Sequence, residues 1–291
     1  MCAPAGAVDP DRLDRGVAEL RALGFDVRVP EGILDRTLFT AGSVARRLAE
    51  LHGLFADDAV AGIVCARGGA GAARLLPGLD LDLLRSHPKV FVGYSDATAL
   101  HLGMGRLGLV TFHGPMVSVD FAARGHDTES FLQVLTGTGL YASQADDLLP
   151  LRAGVAEGVL RGGCLSLLAW AAGTPWALRT DGEDTILFVE DEDEAPYRID
   201  RLLLQLRESG ALAGVRGIVF GDMKGCAPPM AADFSLEDVI LEALDGLDVP
   251  VALGLSSGHT SSPNVTLPLG VRARLACGES ARFEVLEPAV L

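Results

Sequence analysis

The residues best able to do chemistry lie where an apolar run stops short. Val90-Phe91-Val92-Gly93-Tyr94-Ser95-Asp96-Ala97 reads as a strand that turns through Gly-x-Ser directly into a helix. A serine on such a turn projects clear of the sheet, and the N–H groups opening the helix can meet a developing oxyanion, which is acyl-transfer geometry. From this motif alone two readings stand side by side: a nucleophile, or a Ser-Asp pair that caps the helix. Ala97 occupies the place of the last glycine in G-x-S-x-G. A second turn, Ala66-Arg67-Gly68-Gly69-Ala70-Gly71, also follows an apolar run. Its glycines permit close backbone approach to a phosphate or an oxyanion, or they simply turn the chain; the spacing fits neither G-x-G-x-x-G nor G-x-x-x-x-G-K-[ST].

A serine nucleophile needs a base and a carboxylate that fixes the base's tautomer. Of the six histidines, His52, His87 and His126 sit in polar or loop-like stretches and read as surface residues. His101 falls within the helix expected after Ser95, and His113 stands at a strand end in Phe112-His113-Gly114-Pro115, where it can line a pocket. His259 lies in a Gly- and Ser-rich loop after the apolar run 250–253, from which a mobile imidazole reaches a cleft; it is the best base candidate. Glu190 continues the apolar run 185–189 at the start of an acidic stretch, and the carboxyl end of a strand is where open α/β folds place their sites. The rest of that stretch, Asp191-Glu192-Asp193-Glu194, reads as a solvated loop.

The elements that must position these groups follow from periodicity. Leu13, Val17, Leu20 and Leu23 share one helix face behind an Asp9 cap and Pro10, with Gly24 as the stop. Residues 25–29 then read as a strand, 43–55 as a helix, 59–65 as a strand, 89–93 as a strand, 96–107 as a helix and 108–112 as a strand. Beyond a looser stretch at 141–158 come a small-residue helix at 164–172, a strand at 185–189, a helix carrying Ile199, Leu202, Leu203 and Leu206 on one face, a strand at 215–220, and short strands over 265–285. Continuous apolar strands alternating with helices predict a parallel sheet covered on both faces.

Composition bounds the rest. At 291 residues the chain has room for two domains, and 49% hydrophobic against 22% charged residues is the balance of a folded globular protein. The 39 acidic against 24 basic side chains give −15, a field that repels phosphate backbones and anionic membrane surfaces, so nucleic acid and membrane are excluded as partners. Uncharged runs are broken by Gly, Pro, Ser, Thr or His, and no basic segment leads into an apolar stretch at the N-terminus, so a cytoplasmic protein is expected. Five scattered cysteines with no C-x-x-C pair argue against a disulfide framework and a structural zinc site.

Taken in order, these blocks resemble the LD-carboxypeptidase family of serine peptidases, which includes muramoyl-tetrapeptide carboxypeptidases and the microcin C self-immunity proteins. The resemblance rests on the 65–77 block with Arg67-Gly68-Gly69, on Gly93-Tyr94-Ser95-Asp96 with Thr98-Ala99-Leu100-His101, and on His113-Gly114-Pro115-Met116. In the second half it rests on Gly162-Gly163-Cys164-Leu165-Ser166 with Gly173-Thr174-Pro175, on Glu190-Asp191 with Pro196-Tyr197-Arg198-Ile199-Asp200-Arg201, and on Gly258-His259 with Asn264-Val265-Thr266-Leu267-Pro268-Leu269-Gly270.

The resemblance implies Ser95 as nucleophile, His259 as general base and Glu190 as the residue orienting it, with the N–H groups of Gly69 and Asp96 as oxyanion hole. Gly68 and His113 are expected to bind substrate, and Arg198 or Arg201 to meet a substrate carboxylate. The implied fold is α/β: a flavodoxin-like, parallel-sheet N-terminal domain over 1–145, a linker at 146–158, and a smaller, β-rich C-terminal domain over 159–291 carrying Glu190 and His259. A homodimer is implied, and neither a metal nor an organic cofactor. The implied activity is release of the terminal D-alanine from peptidoglycan tetrapeptides, with the muropeptide as partner. Cleavage of aminoacyl-nucleotide or peptidyl-nucleotide amides is the alternative, and a non-catalytic muropeptide-binding protein a third. Two departures stand out: Met1-Cys2 runs straight into Ala3-Pro4-Ala5 where relatives begin with a strand and a Val-Ala-Pro-Ser-like turn, and Cys164 replaces an Asn common in relatives.

Overall fold

The computed structural model describes residues 1–144 and 147–290. Asp9 accepts the Arg12 N–H at 2.8 Å and Pro10 opens α1 (Pro10–Ala22), as the cap pattern dictates. Ser43 likewise caps α2 (Val44–Ala56). Three short strands, β1 (Gly62–Val64), β2 (Val90–Gly93) and β3 (Thr111–His113), pair in parallel, with α3 (Leu81–Ser86) before β2 and α4 (Thr98–Gly105) between β2 and β3. After α5 (Thr128–Thr136) the chain builds a second sheet from β4 (Leu149–Arg152), β5 (Gly154–Cys164), β6 (Thr185–Glu190), β7 (Val215–Gly221) and β8 (Val251–Leu255). Helices α6 (Leu165–Ala171), α7 (Pro196–Glu208) and α8 (Leu236–Ala243) alternate with its parallel strands β5 to β8. β9 (Leu267–Leu269) then leaves this sheet and pairs antiparallel with β3, closing the first one in the order β1-β2-β3-β9. Finally β10 (Arg272–Cys277) and β11 (Ala281–Val285) return to the second sheet, in the order β11-β10-β5-β6-β7-β8-β4.

The mixed α/β architecture with a parallel N-terminal sheet agrees with expectation, but three details differ. Among the described residues the C-terminal half carries the larger sheet, seven strands against four, and its centre is parallel. Residues 149–152 and 154–158, expected in a linker, are paired strands, the first with β8 and the second with β10: Val155, Glu157 and Val159 alternate with Ala156, Gly158 and Leu160 at a period of two. Residue 146 of that expected linker lies outside the described residues. Residues 25–29 form no strand; Phe25 instead sets its ring edge-on against Phe131 of α5 at 5.9 Å, and Cys2, bridged singly to Cys65, is what remains of the first strand. One ladder bridge, Cys2 N to Val64 O at 3.1 Å and Ala66 N to Cys2 O at 2.7 Å, gives a further strand nothing to extend.

Apolar clusters cover both faces of each sheet. Phe91, Leu75, Leu100 and Met104 fill one side of the first, and Phe112, Phe121 and Phe131 the other. Leu203, Ile218 and Ile240 pack under the C-terminal helices, and Phe188, Leu267 and Phe283 join β9 to the second sheet. Because β9 belongs to the first sheet by hydrogen bonding and to the second by packing, it fixes the two sheets against each other. The ends of β2 and β6 and the loop between β8 and β9 thereby share one region. Among the described residues no helix is long and apolar enough to cross a membrane.

Candidate active site

Ser95 is held in the left-handed region at φ +60°. That conformation is strained for a residue with a Cβ, and such strain persists only where the surroundings enforce it. Here β2 is buried between two neighbours, and the chain must turn at once into a 3₁₀ turn (Ser95–Ala97) and α4. Neither the turn nor α4 has a side-chain cap, so Ser95 is not the capping residue that its Ser-Asp context allows. Asp96 points elsewhere: it is buried and accepts the Ala72 N–H at 2.7 Å. Burial pushes its carboxyl up, and the Ala72 N–H and the Arg47 guanidinium offset part of that.

The Arg67-Gly68-Gly69 turn lies directly over the serine. A Cβ on Gly68 would stand 2.7 Å from Ser95 Cβ and 2.8 Å from Oγ, so only glycine lets this backbone come so close. Gly69 takes φ +102°, and among the described residues neither its N–H nor that of Asp96 donates to a loop or turn carbonyl. Both are free to receive an anion.

Glu190 ends β6 with no exposed surface. Its Oε2 accepts two bonds from His259, from Nδ1 at 2.7 Å and from the backbone N–H at 2.9 Å. Gly258, at φ +90°, makes this possible: a Cβ there would lie 2.5 Å from Glu190 Cδ. On the other side His113 Nε2 stands 3.6 Å from Oε1, beyond hydrogen-bond length. Burial alone pushes the Glu190 carboxyl up, but the imidazoles of His113 and His259 outweigh it and bring it down to about 2. It is therefore a carboxylate at neutral pH, and His259 is the Nδ1–H donor that a general base at Nε2 requires. Tyr94, beside Ser95, meets the His259 ring edge-on at 5.0 Å. Among the described residues the side-chain hydrogen bond of His259 runs to Glu190, Glu192 stands at ion-pair distance, and no bond runs to Ser95.

The loop carrying His259 is tied to the first sheet through Asn264. Its side chain accepts the Gly258 N–H at 2.9 Å and donates to Asp120 Oδ1 at 3.1 Å, while Asp120 Oδ2 takes the Met116 N–H at 2.8 Å. Thr260 bonds Asp222 on the far side. From the other half, the N–H of Cys164 donates to Thr98 Oγ1 at 3.1 Å, linking the end of β5 to the start of α4. The Cys164 thiol is pushed well up by burial and by Glu190 and Asp191, so it is a protonated, non-nucleophilic neighbour.

The structure brings Ser95, Gly68, Gly69, Asp96, Glu190 and His259 into one region. It does not bring His113 to an open surface: the ring is fully enclosed, bonded through Nδ1 to Ser257 Oγ at 3.1 Å, and it serves Glu190 from behind in place of the substrate contact expected of it. Arg198 and Arg201 sit on the exposed face of α7, engaged with Glu194 at 3.2 Å and with the Tyr197 ring at 5.4 Å. His126, expected at the surface, is enclosed and stacked at 4.5 Å on Phe121. Three participants escaped the sequence reading: Asp120, Asn264 and Glu192. For Glu192 a signal existed, because positions 190 and 192 fall on the same side of an extended chain. Among the described residues no group of three or more His, Cys, Asp or Glu side chains is arranged to hold a metal ion. All five cysteines are free and buried.

Comparison with known proteins gives concordant matches. The LD-carboxypeptidase N-terminal domain matches residues 1–114, and the LD-carboxypeptidase C-terminal domain residues 157–275. A probable murein peptide carboxypeptidase of Bacillus subtilis (strain 168) is 39% identical over 285 residues, 96% of this chain and 88% of the relative. The crystal structure of muramoyltetrapeptide carboxypeptidase from Oxalobacter formigenes superposes with a TM-score of 0.86 at 31% identity, covering 99% of both chains. The structure of MccF in complex with glutamyl sulfamoyl guanosine superposes equally well, 0.86 at 25% identity, over 100% of this chain and 96% of the other.

Proposed function

The chain belongs to the LD-carboxypeptidase family, and from that premise we propose that it is a serine peptidase of cytoplasmic peptidoglycan recycling that releases the terminal D-alanine from tetrapeptides. The observation that carries this reading is the fully buried Glu190 bonded to Nδ1 of His259, whose ring meets Tyr94 next to a serine strained into the left-handed region.

Ser95 Oγ attacks the carbonyl carbon of the bond before D-alanine while its proton passes to His259 Nε2. The imidazolium so formed is stabilised by Glu190 at 2.7 Å. The carbonyl oxygen, now an anion, is met by the N–H groups of Gly69 and Asp96, backbone dipoles that need no reorganisation as charge develops. Collapse of the intermediate breaks the C–N bond, and His259 gives its proton to the departing amine. Water then repeats the sequence on the acyl-enzyme, with His259 removing its proton, and restores Ser95.

The likeness to MccF supports a second substrate class, an amide joining an aminoacyl group to a nucleotide, on the same machinery. An aromatic platform for a base is the feature that separates the two. Trp170 lies half exposed on α6, and Trp176 packs with Arg106, 5.9 Å from its ring, and with Gly103. Neither tryptophan is part of the Ser95 and His259 surroundings described above, which favours the muropeptide. The test is to offer the protein UDP-muramoyl tetrapeptide and an aminoacyl-sulfamoyl adenosine in parallel. D-alanine release from the first with the second intact is expected; cleavage of the second alone overturns the muropeptide reading.

A further inference from the structure

Glu192 occupies a position that the mechanism above leaves unused. Its Oε1 lies 3.1 Å from His259 Nε2, while Nδ1 of the same ring faces Glu190 at 2.7 Å. The contact is an ion-pair approach and not an aligned hydrogen bond, and a carboxylate this near Nε2 favours the charged ring. With a carboxylate against each nitrogen, the surroundings favour the imidazolium. Nε2 is also the atom that must receive the Ser95 proton, so this arrangement fills the base before the reaction begins.

The two carboxylates differ in freedom. Glu190 is fully enclosed and bonded twice, whereas 46% of the Glu192 side chain is open to solvent on the loop after β6. Only Glu192 has room to leave. The groups facing His259 are Glu190 and Asp191 at the end of β6, Glu192 beyond them, and Tyr94 at the end of β2, whose hydroxyl reaches toward Asp120. None is cationic. Burial lowers the pKa of His259, but the bond and charge of Glu190, followed by the charges of Glu192 and Asp191, raise it above the ordinary histidine value.

We propose that Glu192 is a positioning residue that holds His259 doubly protonated in the free enzyme and yields Nε2 to Ser95 as substrate enters. The exchange balances: the Nε2 proton passes to bulk water, the Glu192 side chain rotates outward, and the Ser95 hydroxyl donates to the freed Nε2. This inference rests on reading Ser95 and His259 as nucleophile and base, and it makes Glu192 the group that sets the acid side of the activity profile. Removing its charge frees the base at lower pH.

The test is a titration of the full-length protein labelled with ¹⁵N-histidine, wild type against Glu192→Gln, with the His259 signals assigned by their loss in His259→Gln. The His259 ring of Glu192→Gln is expected to titrate about one pH unit lower than in the wild type. The acid limb of kcat/KM moves by the same amount, so that D-alanine release at pH 6 rises several-fold with the melting temperature unchanged. A purely structural Glu192 would leave both titrations where they are, and an unmoved His259 titration overturns the proposal. If the ring titration shifts but neither protein releases D-alanine, the contact stands and the substrate reading fails instead.

Discussion

Replacing Glu190 by Gln changes one charge and almost no volume, which makes it the sharpest probe of how His259 is held. The amide oxygen can still accept from Nδ1 and from the His259 N–H, the two bonds that now measure 2.7 and 2.9 Å, so the loop has no reason to move. What is lost is the attraction between a carboxylate and the imidazolium formed as Ser95 gives up its proton. For charge centres about 4 Å apart at an effective dielectric of about 20, that attraction is about 4 kcal/mol. At about 1.4 kcal/mol per tenfold, kcat falls by about 10³, while KM changes little because Glu190 has no exposed surface to offer substrate. The assay is D-alanine release from UDP-muramoyl tetrapeptide under saturating substrate, with circular dichroism and a melting curve to confirm the fold. A Glu190→Gln protein that folds normally and keeps more than a tenth of the wild-type kcat would refute the idea that this carboxylate stabilises the transition state.

Two further substitutions test the surroundings. Gly68→Ala adds a methyl group 2.8 Å from Ser95 Oγ and is expected to cut kcat by at least about 10², since displacing a reacting atom by about 1 Å costs that much; a melting temperature close to wild type would show the effect to be local. Asn264→Ala leaves the Gly258 N–H without its buried partner and Asp120 Oδ1 with only the long Tyr94 hydroxyl contact, a loss of roughly 3 kcal/mol in urea unfolding together with reduced kcat, and full activity in this variant would show that the His259 loop needs no tie to the first sheet.

The sequence exposed the site's chemistry more readily than its scaffold. Ser95 and Glu190 drew notice as candidates because each sits where an apolar run ends, and His259 because its Gly- and Ser-rich loop follows one; the structure places Glu190 and His259 in contact. Helix starts were equally plain at Asp9 and Ser43, whose caps are local chemistry. What stayed hidden depends on contacts distant in the chain. Residues 25–29 have the composition of a strand but find no ladder to join, and 149–158 look like a linker until β8 and β10 supply partners. His113 was read as a pocket residue because a strand end usually opens outward, yet β9 and the loop before it enclose it behind Glu190. Glu192 was dissolved in an acidic run, and only the fold of the loop after β8 shows that it reaches His259.

The most direct measurement of the central claim is D-alanine release from UDP-muramoyl tetrapeptide, followed by mass spectrometry, for the wild type and Ser95→Ala side by side. Release by the wild type, with the loss of at least about three orders of magnitude expected when a triad nucleophile is removed, is the predicted result. Equal release by both proteins would contradict Ser95 as nucleophile, and no release by a correctly folded wild type would contradict the muropeptide as substrate.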